Sequence, residues 1–208
     1  MQFTVIDIEN WKRRPQFDHY HTFVPCTYSM TVKLDVTRVI ASKRKIYPIM
    51  LYAISHVVNQ HEEFRTAISK EGNLGIYDEL IPCYTIFHKD TETFSNLWTP
   101  YHSDVSAFAE AYHRDVEEYG SIHSMNPKPN EPDNTFPVSM IPWESFEGFN
   151  LNLKNGYDYL LPIFTIGKFF SEADRTVIPI AIQVHHAVCD GFHLCRFIGE
   201  LRKLLLDL

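Results

Sequence analysis

The stretch that most constrains this chain runs from Val177 to Leu208, because its hydrophobic period changes once, across a cluster of proton-handling side chains. Ile178, Ile180, Ile182 and Val184 alternate with Val177, Pro179, Ala181 and Gln183, the period of two that marks a strand. After Gly191, the apolar residues Leu194, Phe197, Ile198, Leu201, Leu205 and Leu208 recur at three and four, which is a helix with one buried face. Between the two lies His185-His186-Ala187-Val188-Cys189-Asp190-Gly191. Strand, turn and helix are predicted to form one rigid unit with two imidazoles at the bend.

Successive strand side chains point to opposite faces, so one histidine of the pair enters a given site. By parity His186 follows the isoleucines and His185 follows Gln183. Asp190 is expected at the helix N-terminus, where exposed N–H groups and the dipole favour a carboxylate. Imidazole is the side chain whose ordinary pKa lies nearest neutrality, so a histidine here fits a general base. A satisfied structural histidine and a metal site of His185, His186 and Asp190 are the alternatives. Opposed side-chain directions and the lack of a second His/Cys cluster at ligand spacing argue against the metal. Nothing in the pattern marks Cys189 as an exposed or activated nucleophile.

The remainder reads as a mixed chain. Strands are predicted over 3–8, 27–36, 73–77, 83–88, 92–98, 138–141, 149–153 and 163–170. Helices are predicted from Asn10 to about Tyr20, over 37–43 capped by Asp35, from Pro48 to about Glu62, and over 105–119 capped by Ser103-Asp104. Pro127, Pro129, Pro132 and Pro137 predict a loop from Met125 to Pro137. The sum is an α+β fold, a two-layer sandwich of a mixed, mostly antiparallel sheet packed with helices, in a single domain over 1–208. A net charge of −7 with no basic stripe disfavours nucleic acid. The opening residues lack a basic then apolar leader and no apolar run approaches ~18 residues, so a cytoplasmic protein away from the membrane is expected. Cys26, Cys83, Cys189 and Cys195 form no CxxC pair and are expected as reduced core thiols.

Several further landmarks surround this unit: Asn10-Trp11 with Arg13, Tyr20, Pro25-Cys26, Tyr47-Pro48, Phe64-Arg65-Thr66, Asp90 to Ser95, Ser139-Met140-Ile141-Pro142-Trp143, and Phe149 to Asn152. With Gln183 to His193, and in this order and spacing, they resemble the type A chloramphenicol acetyltransferases over nearly the whole chain. The resemblance implies a homotrimer with active sites at subunit interfaces, acting on chloramphenicol with acetyl-CoA as co-substrate and no metal. It implies that His186 is the general base for the drug's primary (3-) hydroxyl in a ternary complex without an acyl-enzyme. It also implies Ser139 as oxyanion donor, Thr165 as holder of a nearby water, and Asp190 with Arg13 as a structural ion pair. Tyr20, Cys26, Phe94 and Leu151 match drug-pocket positions, and Tyr47, Lys168 and Phe169 match the coenzyme side. Two positions depart from the pattern: Asn126 where some members carry an apolar pocket residue, and His19 where an aromatic is common. The catalytic domains of dihydrolipoamide acyltransferases share the histidine and Asp-Gly and are the rival enzyme reading. A trimeric binder that sequesters the drug is the non-catalytic one.

Overall fold

The computed structural model describes residues 2–153 and 158–208. The chain opens with β1 (Phe3–Val5) and α1 (Arg14–Asp18), which runs into a π-helical turn at His19–Phe23. β2 (Thr27–Asp35) leads into α2 (Thr37–Ala41), shorter than predicted; the Thr37 N–H donates to Asp35 Oδ1 at 2.9 Å, but the N-cap position is Val36, which has no side-chain cap. α3 (Ile46–Val58) starts ahead of Pro48 and stops at Val58 rather than near Glu62. Pro48 is tolerated in its first turn because N–H groups there have no partner inside the helix. Nor is α3 one-faced: every residue from Pro48 to Ser55 is buried, as are Val57 and Val58, so it is a core helix.

A 3-10 turn at Glu62–Phe64 precedes β3 (Thr66–Ile68), β4 (Leu74–Tyr77), β5 (Ile81–His88) and β6 (Thr93–Trp98). β3 escapes sequence reading because three residues are too few to show alternation. α4 (Val105–Tyr119) starts where Asp104 Oδ1 accepts the Ala107 N–H at 2.8 Å, as predicted. β7 (Thr135–Met140) begins inside the proline-rich segment, so the predicted loop ends at Asn134. Pro137 fits because the ladder from β7 to β8 (Ile163–Ile166) starts at Val138, one residue later. The strand predicted over 149–153 is not formed. That segment is irregular and lies across the sheet, its Leu151 N–H donating to the Gln183 side chain at 2.9 Å instead of to a strand partner. The strand predicted over 163–170 breaks into β8 and β9 (Phe170–Glu172). β10 (Arg175–His185) and α5 (Gly191–Asp207) close the chain where the change of period places them.

The smaller sheet has the order β1-β4-β3 and the larger β2-β10-β8-β7-β5-β6, with β9 on the start of β10. Among the described pairs, β5/β7 and β7/β8 run parallel and the rest antiparallel, the mixed α+β arrangement expected. β10 is central, so both of its faces are buried. Ile178, Ile180 and Ile182 enter the main core with Leu34, Val138 and Phe164, whereas Ala181 and Gln183 share a crevice with Thr165 and Leu151 on the other face. α5 buries Leu194, Phe197, Ile198, Leu201 and Leu205, and each such side chain stabilises by roughly 1.5–3 kcal/mol. Phe197 packs against Phe64 and Phe164 at ring separations of 4.9 and 5.5 Å. That packing fixes the helix, and so the histidine turn in front of it.

Candidate active site

β10 ends at His185 and the chain turns at once, with the N–H groups of Val188 and Cys189 donating to the His185 carbonyl at 3.1 and 3.0 Å. The His185 ring is buried and its Nδ1 accepts the Ala187 N–H at 3.1 Å, on the Gln183 side, as parity predicts. His186 leaves the strand. Its N–H donates to the Cys26 carbonyl at 3.0 Å, its ring lies flat on Tyr20 at 3.9 Å, and Tyr28 meets it edge-on at 5.3 Å. Tyr20 reaches it from the π-helical turn, a distortion found often at functional positions. The His186 side chain is 29% exposed although its Nδ1 is buried 3.4 Å from Asp190 Oδ1. The accessible part of the side chain therefore lies away from Nδ1.

Arg13 clamps this turn. Its guanidinium donates to both carboxylate oxygens of Asp190 at 2.7 and 2.8 Å and to the carbonyls of Ala187 and His186 at 2.8 and 3.1 Å. A planar five-donor fork can satisfy such a set, and an ammonium cannot. Hydrogen bonding from Arg13 holds the Asp190 carboxyl below its ordinary pKa. Asp190 also caps α5, and its N–H donates to His193 Nδ1 at 3.0 Å, which requires that nitrogen to be unprotonated. Burial, which lowers the His193 pKa, favours the same state. Cys189 is buried and its thiol is pushed up to about 12 by that burial, the opposite of an activated nucleophile. Cys195, expected in the core, is exposed on α5, because its position falls outside the three-and-four stripe. Among the described residues no three His, Cys, Asp or Glu side chains gather as a metal site would require.

Ser139 lies in a different place. A cleft of about 530 Å³ is lined by Ser139 and Met140 of β7, Thr85 and Phe87 of β5, Phe94 of β6, and Tyr47 and Trp143. Phe94 is half exposed there, and Trp143 meets Phe87 edge-on at 4.6 Å. Thr165 of β8 is the registered partner of Ser139, and Ala181 of β10 is the next in the same row. Leu151 covers the crevice beside Thr165. Lys168 and Phe169 are exposed beyond the end of β8, where the Lys168 N–H donates to the Glu144 carbonyl, next to Trp143. His19 is exposed and packs edge-on against Tyr20 at 4.7 Å, and Asn126 is exposed with its side-chain oxygen 3.4 Å from the Asn96 amide.

The register separates the two groups within one chain. Ser139 sits two strands from β10, in the row of Ala181, and His186 lies five residues further along. At ~3.3 Å per residue and ~4.8 Å per strand this is about 19 Å. A base and an oxyanion donor serve one reacting carbonyl only if each is within hydrogen-bond reach of it. The chain therefore holds these residues in two separate groups: Arg13, Tyr20, Cys26, His186 and Asp190 in one, and Ser139, Thr165, Phe94, Tyr47 and Leu151 in and beside the other.

Sequence reading missed Tyr28 and His193. Tyr28 is invisible without the β2/β10 register that pairs it with Val184. For His193 a signal was present, since the third residue of a helix after an acidic cap is where a reciprocal side-chain cap sits.

The family model described as chloramphenicol acetyltransferase matches residues 1–202. A chloramphenicol acetyltransferase of Clostridium perfringens is 59% identical over 205 residues, 99% of each chain. One of Campylobacter coli is 58% identical over 205 residues, again 99% of each. A solved chloramphenicol acetyltransferase structure superposes with a TM-score of 0.85 at 25% identity, covering 98% of this chain and all of the other.

Proposed function

From the premise that the chain belongs to the chloramphenicol acetyltransferase family and is an acyltransferase, we propose that it moves acetyl from acetyl-CoA to the primary (3-) hydroxyl of chloramphenicol, in a ternary complex without an acyl-enzyme. The acetylated product no longer acts as the antibiotic, so the reaction confers resistance. His186 removes the hydroxyl proton as the oxygen attacks the thioester carbonyl. The carbonyl becomes a tetrahedral oxyanion, which Ser139 stabilises by donating a hydrogen bond, with a water held by Thr165 beside it. Collapse breaks the C–S bond, and the imidazolium returns its proton to the departing thiolate.

Arg13 and Asp190 position the base and take no part in the proton transfer. Tyr20, Cys26, Phe94 and Leu151 contact the drug, while Tyr47, Lys168 and Phe169 face the coenzyme. The protein works as a homotrimer in the cytoplasm, where acetyl-CoA is available. Among the described residues no helix is long and apolar enough to cross a membrane.

The observation that carries this reading is the division of the chemistry between two half-sites about 19 Å apart on one chain, by strand spacing. His186 of one subunit completes the Ser139 cleft of the next, which a closed ring of identical chains supplies without any further component. The test is subunit complementation. His186→Ala and Ser139→Ala proteins are unfolded together and refolded as a 1:1 mixture, and thiol release from acetyl-CoA is followed with chloramphenicol present. In random assembly about a quarter of the interfaces pair an intact His186 with an intact Ser139, so activity should return to roughly that fraction of the native protein. A mixture no more active than its parents would refute the shared site.

A further inference from the structure

The Ser139 cleft exists because two parallel strands part company. β5 and β7 are registered from Ile81↔Thr135 to Tyr84↔Val138 and no further, although β5 runs on to His88 and β7 to Met140. Beyond that point β7 pairs with β8 alone, and Thr85, Ile86 and Phe87 on one side and Ser139 and Met140 on the other become cleft wall. A ladder that stops inside a sheet leaves backbone groups to be satisfied by something else. Here that is Tyr47. Its hydroxyl donates to the Val138 carbonyl at 3.1 Å, while its ring packs edge-on against Tyr84 of β5 at 6.1 Å and shares the cleft wall with Thr85.

We propose that Tyr47 is a positioning residue for Ser139: its side chain bridges the split between β5 and β7, the ring packed on β5 and the hydroxyl holding the β7 peptide that carries the serine. The inference rests on Ser139 being the oxyanion donor. The Val138 carbonyl and the Ser139 N–H belong to one planar peptide unit, so fixing the carbonyl fixes the plane from which the Ser139 side chain projects.

Tyr47 is itself held. Its ring meets Tyr84 and Tyr112 edge-on at 6.1 and 6.3 Å, and those two rings are 5.1 Å apart. The Tyr84 hydroxyl is 2.8 Å from the Thr99 hydroxyl, which donates to Asp115 at 2.7 Å, and Asp115 accepts from Lys128 at 2.6 Å. Lys128 in turn lies 3.9 Å over the Trp98 ring and donates to the Trp98 carbonyl. A chain of paired polar groups of this kind, buried at Tyr84 and Thr99 and half-buried at Asp115 and Lys128, is rigid, because alternative arrangements leave a member unpaired. It reaches from the C-terminal half of α4 to the wall of the cleft. The ring of Tyr47 is then free to present its face to the coenzyme while its oxygen serves the backbone, so the two assignments concern different atoms.

The test is a double-mutant cycle of Tyr47→Phe and Ser139→Ala, measured as kcat and as KM for each substrate, with thermal melting as the control for folding. Tyr47→Phe keeps the ring and removes the bridge. It is expected to lower kcat about tenfold, the effect of one hydrogen bond, and to leave both KM values within about twofold. In the Ser139→Ala background it should cause no further loss, since there is no hydroxyl left to aim. An equal loss in both backgrounds overturns the inference, as does a rise in the KM for acetyl-CoA at constant kcat, or no change at all. If Tyr47→Phe does not fold, Tyr84→Phe, which releases only the Thr99 hydroxyl, should lower kcat about twofold in the native background alone; an equal loss in both backgrounds overturns the inference again. Should Ser139→Ala by itself leave kcat unchanged, the oxyanion assignment fails first, and that outcome is distinguishable from a failure at Tyr47.

Discussion

Replacing Arg13 by valine tests whether the histidine turn owes its shape to one guanidinium. The substitution removes four hydrogen bonds, two to Asp190 and two to the carbonyls of His186 and Ala187. Breaking a fully buried pair costs ~3–5 kcal/mol, but the Asp190 side chain is 38% exposed and water can replace part of what is lost. A loss of about 2–3 kcal/mol is therefore expected, and at ~2–4 °C per kcal/mol for a chain of this size the melting temperature should fall by about 4–12 °C. Activity should fall with it, by about 10²-fold in kcat, because a displacement of the base by ~1 Å has that effect. Arg13→Lys, which keeps the charge but not the fork, should lie between the two.

The pH dependence adds a sign. Arg13 holds the folded Asp190 carboxyl below its ordinary value of 3.8, so the pair contributes above that value and its contribution is lost as pH falls through the folded one. The gap in melting temperature between native and Arg13→Val protein should be full at neutral pH and narrow progressively below about pH 4, leaving the part due to the two carbonyl hydrogen bonds. Melting followed by circular dichroism from neutral pH to about pH 3, with thiol-release assays at neutral pH, measures both effects. A variant as stable and active as the native protein, or a gap that persists undiminished in acid, would refute the reasoning.

His186→Ala should remove nearly all acetyl transfer, a general base contributing ~10²–10⁴-fold, while equilibrium binding of chloramphenicol stays close to native; undiminished turnover would exclude the proposed base. Native protein treated with iodoacetamide at about pH 8 should be labelled at exposed Cys195 and spared at Cys189, whose thiol is buried and raised to about 12. Peptide mass spectrometry reads both positions, and equal labelling of the two would show that the turn opens in solution.

Much of the histidine unit was legible in the sequence because it is local. A strand period of two and a helical stripe at three and four are set by residues a few positions apart, and so is the placing of Asp190 at a helix start. The same holds for the cap at Asp104 and the turn from Asp35 to Thr37, where one side chain meets an N–H three or two residues on. Local pattern failed where long-range pairing decided the outcome. Phe149 to Leu153 has strand-like composition yet finds no ladder, because the Gln183 side chain takes the Leu151 N–H. Pro137 looks like a loop residue until the late start of the β8 ladder makes room for it. Residue types and order along the chain thus determined the elements, the histidine turn and the family resemblance. Tertiary structure alone decided that Arg13 reaches a carboxylate 177 residues away, that Ser139 and Thr165 share a row, and that His186 lies far from both. The physical reason is that strand order and register arise from contacts between distant segments, which no periodicity within a segment encodes.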